Sequence, residues 1–249
     1  MNQFDLNEYF ESLLSIKKWT RDVSQNGIQV ENSGGEITKI AFATDACDKT
    51  ISRAKALGAN MLFVHHGLFW ASPQTVTGIF YKRIRDLISA DMALFACHLP
   101  LDAHPTLGNN GVLAQKLNLQ NRKPFCEYAG DYIGFQGDLV DGDTVEDLCK
   151  KLDVEPLGIL PFGKKIPQKA CIVSGGASHE IEDAVKAGAD IYITGEINHQ
   201  MYHFAAENEI SVLALGHYAS EIWGVRAVME QVKKDLNIDV EFIHMPTGL

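Results

Sequence analysis

The sequence predicts an α/β protein made of two similar lobes with largely parallel sheets. Two observations favour this fold: short apolar runs alternate with longer helical patterns, and a strand–helix–strand segment recurs later in the chain. Strands separated by helices of this length are typical of βαβ units, in which neighbouring strands run parallel.

The first lobe begins with a helix near residues 5 to 17, where apolar residues recur on one helical face. These positions are Leu6, Phe10, Leu13 and Leu14. Apolar runs predict the elements that follow, and Gly58 marks the end of one helix, because glycine is typical of helix C-termini. They are a strand at 39–44, a helix at 49–57, a strand at 61–64, a helix at 81–90 and a strand at 93–97.

An internal repeat appears when the chain is aligned with itself at an offset of 130 residues. Residues 39 to 66 align without gaps on residues 169 to 196, with five identities in 28 positions. The identities alone are few, but the order of strand, helix, Gly-Ala turn and strand also matches. A third strand repeats at a shorter offset, with Leu94–His98 aligned on Leu213–His217. We therefore predict two similar α/β lobes.

Residues 120 to 168 join the two lobes. The run GFQGDLV is typical of a strand, and Thr144 can cap a helix over residues 145–152. We predict lobes at 1–125 and 126–249 that form one compact unit, with a cleft between them.

The composition is that of a globular protein, with 249 residues and 46% hydrophobic side chains. The 22 Lys and Arg residues are outnumbered by 32 Asp and Glu residues, which gives a formal charge of −10. Binding to a phosphate backbone needs a basic face. The charge therefore argues against nucleic acid as the main partner.

Five scattered cysteines, with no CxxC pair, favour a reducing compartment over a disulfide framework. The first residues lack the basic and apolar regions of a signal peptide. No apolar run approaches the roughly 20 residues of a membrane helix. We expect a cytoplasmic protein that does not bind membranes.

Histidines and carboxylates lie where the predicted strands end. Open α/β sheets bind ligands beyond the carboxyl ends of their strands. The residues at these ends are His65 and His66, His98, Glu196 and His217.

The repeat adds a second pattern to these strand ends. His98 and Asp102 align with His217 and Glu221, and each pair is a histidine followed four residues later by a carboxylate. Because Pro100 disfavours a regular helix, we expect the first pair to act through a loop. The second pair can share a face at the start of the last helix.

These imidazoles and carboxylates exceed what one tetrahedral ion uses. They are enough for two ions about 3.5–4 Å apart, and nitrogen and oxygen ligands without thiolate suit Zn, Mn, Fe or Co. The alternative is that each is an ordinary solvated or hydrogen-bonded side chain. His199 and His203 have chelating spacing, but their segment is typical of an amphipathic helix, so we favour core or surface histidines there.

The motifs of this chain resemble a known family. They are NGIQVE (26 to 31), VHHG (64 to 67), HLPLDAHPTLGNN (98 to 110), ITGE (193 to 196) and GHYASE (216 to 221). In this order they are similar to the dinuclear metal centre hexameric proteins, a family often named GTP cyclohydrolase I type 2. The spacing between the lobes resembles that of the short form of the family.

The resemblance implies a two-metal site facing a central cavity in a toroidal homohexamer. It places the metal ligands at His65, His66, Asp102, His217 and Glu221. His98, His104 and Glu196 would then be proton-transfer or ligand-orienting groups, and we assign His98 and Glu196 as the candidate catalytic residues.

Three functions agree with this pattern. The first is a dinuclear metal-dependent hydrolase of a nucleotide or related small molecule, with opening of the GTP purine ring as the reaction that the resemblance implies. The alternatives are a metal-dependent phosphoesterase, because two-metal clamps suit displacement at phosphorus, and a metal-binding scaffold without turnover.

Overall fold

The computed structural model describes all residues, 1–249, and has a mixed α/β fold with two sheets built around parallel strands. The helices are α1 (Gln3–Leu14), α2 (Asp48–Ala56), α3 (Gly78–Ser89), α4 (Leu99–Ala103), α5 (Asn109–Lys116), α6 (Val145–Leu152), α7 (Ile181–Lys186), α8 (Gln200–Glu207) and α9 (His217–Asp235). The strands are β1 (Gly27–Val30), β2 (Lys39–Asp45), β3 (Met61–His66), β4 (Ala93–Ala96), β5 (Gln120–Tyr128), β6 (Asp131–Asp138), β7 (Gly158–Leu160), β8 (Lys169–Val173), β9 (Ile191–Thr194), β10 (Ser211–Ala214) and β11 (Asp239–Phe242).

The chain divides into two compact units with discontinuous bounds. One comprises Met1–Leu101 and Val225–Met245, and the other comprises Asp102–Gly224 and Pro246–Leu249. The division predicted from the sequence, at residues 125 and 126, falls within β5. Lobes at 1–125 and 126–249 therefore stay a prediction. No helix combines the length and the apolar character needed to span a membrane.

The first unit contains a five-stranded sheet in the order β1-β4-β3-β2-β11. Four of its strands run parallel, and β1 closes one edge antiparallel to β4. Its core includes a cluster of phenylalanine rings. The Phe10 ring lies 4.9 Å from that of Phe63 and 4.8 Å from that of Phe95, so α1 packs on this sheet through an aromatic contact.

The sequence of α1 explains both its ends and its buried face. Asn2 accepts hydrogen bonds from the backbone of Phe4 and Asp5, and the Asp5 side chain accepts one from the backbone of Asn2, which forms a capping box. Leu6, Phe10 and Leu14 are buried, as the helical spacing predicts, whereas Leu13 is only half-buried. The helix ends at Ser15, which adopts a left-handed conformation, and therefore stops before the predicted residue 17.

The second unit contains a six-stranded sheet in the order β5-β6-β8-β9-β10-β7. Strands β8, β9 and β10 run parallel at its centre, and antiparallel strands flank them on both sides. Thr144 caps helix α6, as predicted, because the Thr144 side chain accepts a hydrogen bond from the backbone of Asp147.

The internal repeat is confirmed by the register of the two sheets. Ile40 pairs with Met61 between β2 and β3, and Ala170 pairs with Ile191 between β8 and β9. Both pairs are related by the offset of 130 residues that the sequence predicts. The strand order β2-β3-β4 in the first unit has the same pattern as β8-β9-β10 in the second.

The predicted alignment of the third strands is wrong by one residue. Leu94 pairs with Leu62 and Val212 pairs with Tyr192, so Leu94 corresponds to Val212 rather than to Leu213. The chain after β10 contains one more residue before its histidine, and Gly216 accommodates it with a φ of +96°. His98 and His217 are therefore not equivalent positions of the repeat.

The prediction of a loop across residues 98 to 102 is also wrong. This segment forms the short helix α4, in which the backbone N–H of Leu101 donates to the carbonyl of His98. Pro100 is compatible with this helix because the N–H groups of a first helical turn have no partner within the helix.

Candidate metal centre

Three imidazoles come together in the first unit. His65 and His66 end β3, and His98 follows the neighbouring parallel strand β4. The ring centroids of His65 and His66 are 4.5 Å apart, and that of His98 lies 5.2 Å and 5.8 Å from them. One ring nitrogen from each lies within 4.8 Å of the other two. This group could therefore hold a metal ion.

Each of these imidazoles is anchored through its Nδ1 atom by a hydrogen-bond acceptor. Because a carbonyl or carboxylate oxygen only accepts, Nδ1 carries the proton in each ring, and Nε2 carries the lone pair. Metal-binding histidines have this arrangement, since the second ring nitrogen is held by a carboxylate or backbone carbonyl. The acceptors are the Cys97 carbonyl for His65 (3.0 Å), Asp45 for His66 (2.8 Å) and Asp22 for His98 (2.9 Å).

Asp22 is the most extensively hydrogen-bonded of these acceptors. Its side chain is 0% exposed, and besides His98 it accepts hydrogen bonds from Ser24, Asn26 and Leu99. Burial would raise the pKa of Asp22, but the hydrogen bonds from His98, Asn26 and Ser24 outweigh it and lower that pKa overall. The carboxylate therefore stays ionised, and it fixes both the ring of His98 and the start of α4.

The second unit places a histidine and a glutamate on one face of α9. His217 Nε2 lies 3.2 Å from Glu221 Oε2, as the spacing of four residues predicts. His217 Nδ1 is 2.5 Å from Glu196 Oε1, so this imidazole is also anchored through Nδ1. The hydrogen bond with Glu221 is the main cause that raises the pKa of His217 to about 9, with burial opposing it and Glu196 adding to it.

Asp102 is a buried carboxylate of the same unit, with 6% of the residue exposed. Its Oδ1 atom accepts hydrogen bonds from Asn109 Nδ2 at 2.9 Å and from Ser174 Oγ at 3.0 Å. Asn110 in turn accepts from the backbone N–H of Ser174 at 2.7 Å. The two asparagines and the serine therefore hold the orientation of the Asp102 carboxylate.

A glycine permits a close approach to Glu221. Gly175 has a φ of +70°, and a Cβ atom there would lie 2.2 Å from Glu221 Oε1. The N–H of Gly175 donates to Ser220 Oγ at 2.9 Å, which fixes the loop after β8 against α9. Any larger residue would displace the glutamate.

Sequence reasoning missed several of these supporting residues. Asp45 could have been found, because it ends β2 next to His66 in the parallel pair and shares the strand-end position of the predicted ligands. Asp22 had no such signal, since it precedes β1 in a segment without periodicity. The segment from Ser174 contains no ligand-type side chain, and its contacts with Asp102 and Glu221 depend on tertiary structure.

The remaining histidines lie elsewhere. His199 and His203 are exposed on α8 or at its start, with ring centroids 6.5 Å apart. His179 and His244 are exposed, as predicted. His104 accepts hydrogen bonds from the backbone of Thr106 and Leu107, which gives it a role in the turn before α5.

A family model described as Duf34/NIF3 (NGG1p interacting factor 3) matches residues 1–248. The chain belongs to this family. It is 41% identical over 249 residues to a protein of Archaeoglobus fulgidus named "GTP cyclohydrolase 1 type 2 homolog", and 40% identical over 253 residues to a protein of the same name from Pyrococcus abyssi; both alignments cover 100% of both chains. The crystal structure of TTHA1606 from Thermus thermophilus is similar, with a TM-score of 0.91, 30% identity and 100% coverage of both chains.

In each unit of this Duf34/NIF3 protein, the donor atoms are of the types that bind transition-metal ions. Four imidazoles are anchored through Nδ1, and the carboxylates of Asp102 and Glu221 are buried among polar groups. Nitrogen and oxygen donors of this kind suit Zn, Mn, Fe or Co. All five cysteines are free thiols, and none belongs to the groups that could hold an ion.

The raised pKa of His217 predicts a pH dependence for the metal-free protein. An imidazole has an ordinary pKa of 6.5, whereas that of folded His217 is about 9. The contribution of His217 to the free energy of unfolding is fully present below pH 6.5 and is lost as the pH rises through 9. Because the side chain is 33% exposed, we expect a loss on the order of 1–2 kcal/mol.

Urea unfolding of chelator-treated protein between about pH 6 and pH 10 measures this loss. In His217→Gln the free energy of unfolding should fall less as the pH rises. In the exposed control His199→Gln it should fall as much as in the wild type. An equal decline in both variants would show that another group is responsible.

Proposed function

We propose that this chain is a dinuclear metal-dependent hydrolase acting on a nucleotide or a related small molecule. The observation that carries the proposal is the anchoring of four imidazoles through Nδ1. The nucleotide substrate is carried over from the name of the relatives, which is "GTP cyclohydrolase 1 type 2 homolog". The proposed metal ligands are His65, His66, Asp102, His217 and Glu221.

Two bound ions would lower the pKa of a water molecule and stabilise the negative charge that develops during hydrolysis. The residues of this chain provide the orientation. Asp45 and Glu196 hold the rings of His66 and His217, and the bonds to Asp102 Oδ1 fix its carboxylate plane. Such supporting partners typically contribute about 10–100-fold to metal affinity or activity.

Glu196 is proposed as the general base. In hydrolysis the water oxygen bonds to the electrophilic atom, the bond to the leaving group breaks, and the proton of the water must pass to a base. The Glu196 side chain is 45% exposed, and its Oε1 atom accepts the hydrogen bond from His217 Nδ1. A carboxylate in this role is typically worth roughly 10²–10⁴-fold in rate.

His98 is proposed to relay a proton or to orient the neighbouring ligands. Its ring is held by the ionised Asp22 and lies beside His65 and His66. Because Asp22 holds Nδ1, Nε2 is the ring nitrogen that would accept a proton and return it. The five free thiols suit a reducing compartment, and we propose that the protein acts in the cytoplasm.

Substitution of Glu196 separates basicity from ring anchoring. Glu196→Gln keeps an oxygen that accepts from His217 Nδ1 but removes the base, so metal content should stay and turnover should fall about 10²–10⁴-fold. Glu196→Ala also removes the anchor and should weaken metal binding by about 10–100-fold.

His98→Ala should lower turnover with metal retained, and the exposed control His199→Ala should change neither turnover nor metal content.

Bound metal and turnover are measured on the same samples, with GTP and a generic phosphodiester as substrates. Activity that falls only in proportion to lost metal would contradict separate roles for Glu196 and His98. Turnover of the phosphodiester alone would favour a phosphoesterase. A wild-type protein that holds both ions and turns over neither substrate would favour a metal-binding scaffold.

We also propose that the protein forms a homohexamer, on the basis of its family resemblance. Light scattering at micromolar concentration should give a mass near six times the 27.5 kDa of one chain. A mass near 27.5 kDa would contradict the proposal.

A further inference from the structure

An aromatic side chain lies beside two of the three imidazoles of the first unit. The Trp70 ring centroid is 5.2 Å from that of His98, with the planes at 78°, and 6.2 Å from that of His66. Trp70 is half-buried, so part of the residue remains in contact with solvent. It therefore combines a large planar surface with proximity to the proposed metal ligands.

The loop that carries Trp70 is fixed by one side chain. Gln29 of β1 accepts hydrogen bonds from the backbone of Leu68 and Phe69, and it donates to the carbonyls of Gln25 and Phe69. Gly67 makes room for this amide, because a Cβ atom there would lie 2.3 Å from Gln29 Oε1. The conformation of the loop after β3 is therefore set before any ligand binds.

Trp70 is paired with a serine whose hydroxyl has no partner. Ser24 and Trp70 form an antiparallel bridge, and residues directly opposite in such a bridge have Cβ atoms about 4.5–5.5 Å apart. Ser24 is only 4% exposed, and its Oγ atom makes no hydrogen bond within the protein. Buried hydroxyls are nearly always hydrogen-bonded. The Ser24 hydroxyl beside the indole therefore requires an explanation.

We propose that Trp70 is a stacking platform that selects substrates with a planar nitrogen heterocycle, and that Ser24 hydrogen-bonds the edge of that ring. Bases stack on aromatic side chains through their faces, while a serine hydroxyl can donate to or accept from ring substituents. The inference rests on the proposed function, because it names the part of the substrate that the protein recognises. Trp70 is thus a specificity-determining residue beside the imidazoles.

A purely structural role for Trp70 makes a different prediction. If the indole only supports His98 and His66, its loss should reduce metal content and weaken all ligands equally. If it stacks a ring, its loss should weaken only ligands that contain the ring.

The test measures the dissociation constants of guanosine 5′-monophosphate and ribose 5-phosphate by calorimetry with the zinc-loaded full chain. Trp70→Leu should weaken binding of the nucleotide roughly 5- to 100-fold and leave binding of ribose 5-phosphate and the zinc content unchanged. Trp70→Phe should retain most of the affinity, and Ser24→Ala should weaken the nucleotide by about 2- to 10-fold. Tyr81→Leu, an exposed aromatic of α3 in the same unit, is the matched control without effect.

Three results would overturn the inference: no nucleotide binding by the wild type, equal weakening of both probes, or loss of zinc in Trp70→Phe. Unchanged nucleotide turnover in Trp70→Leu would also overturn it, while leaving the proposed hydrolase intact. Ring-dependent binding without turnover would support the inference and contradict the proposed hydrolase.

Discussion

The hydrogen bond from Nδ1 of each imidazole to a fixed acceptor is the interaction on which the candidate site depends. An unanchored histidine at a strand end samples several rotamers and both tautomers, and ordering it would oppose metal binding. Asp22, Asp45, Glu196 and the Cys97 carbonyl remove this freedom. They therefore leave Nε2 as the ring nitrogen that can coordinate an ion.

The repeated strand–helix–strand segment explains how the fold supplies such anchors twice. In each unit, parallel strands end side by side, so a residue that ends one strand can contact a residue that ends the next. Asp45 ends β2 and holds His66 at the end of β3. The corresponding position after β8 is Gly175, where a side chain would collide with Glu221. This one position thus provides an anchor in one unit and space for a carboxylate in the other, where Glu196 holds His217 instead.

Much of this organisation could be predicted from the sequence because it depends on local periodicity. The strands around Phe42 and Phe63, the helix between them and the repeat register followed from apolar spacing and glycine positions. The His217–Glu221 pair followed from the geometry of one helix. Asp22, by contrast, contacts His98 from 76 residues away in an irregular segment, and no spacing rule connects them. The prediction at Pro100 was wrong because the effect of a proline depends on its position within the helix.

Anomalous diffraction at the zinc absorption edge, from crystals of the zinc-loaded protein, tests the central claim most directly. We expect two anomalous peaks per chain, each about 2.0–2.1 Å from an imidazole Nε2 atom. These atoms should belong to His65, His66 or His217, whose Nδ1 atoms keep their present acceptors. Peaks bonded to Nδ1 atoms, or peaks only at the exposed His199 and His203, would contradict the claim.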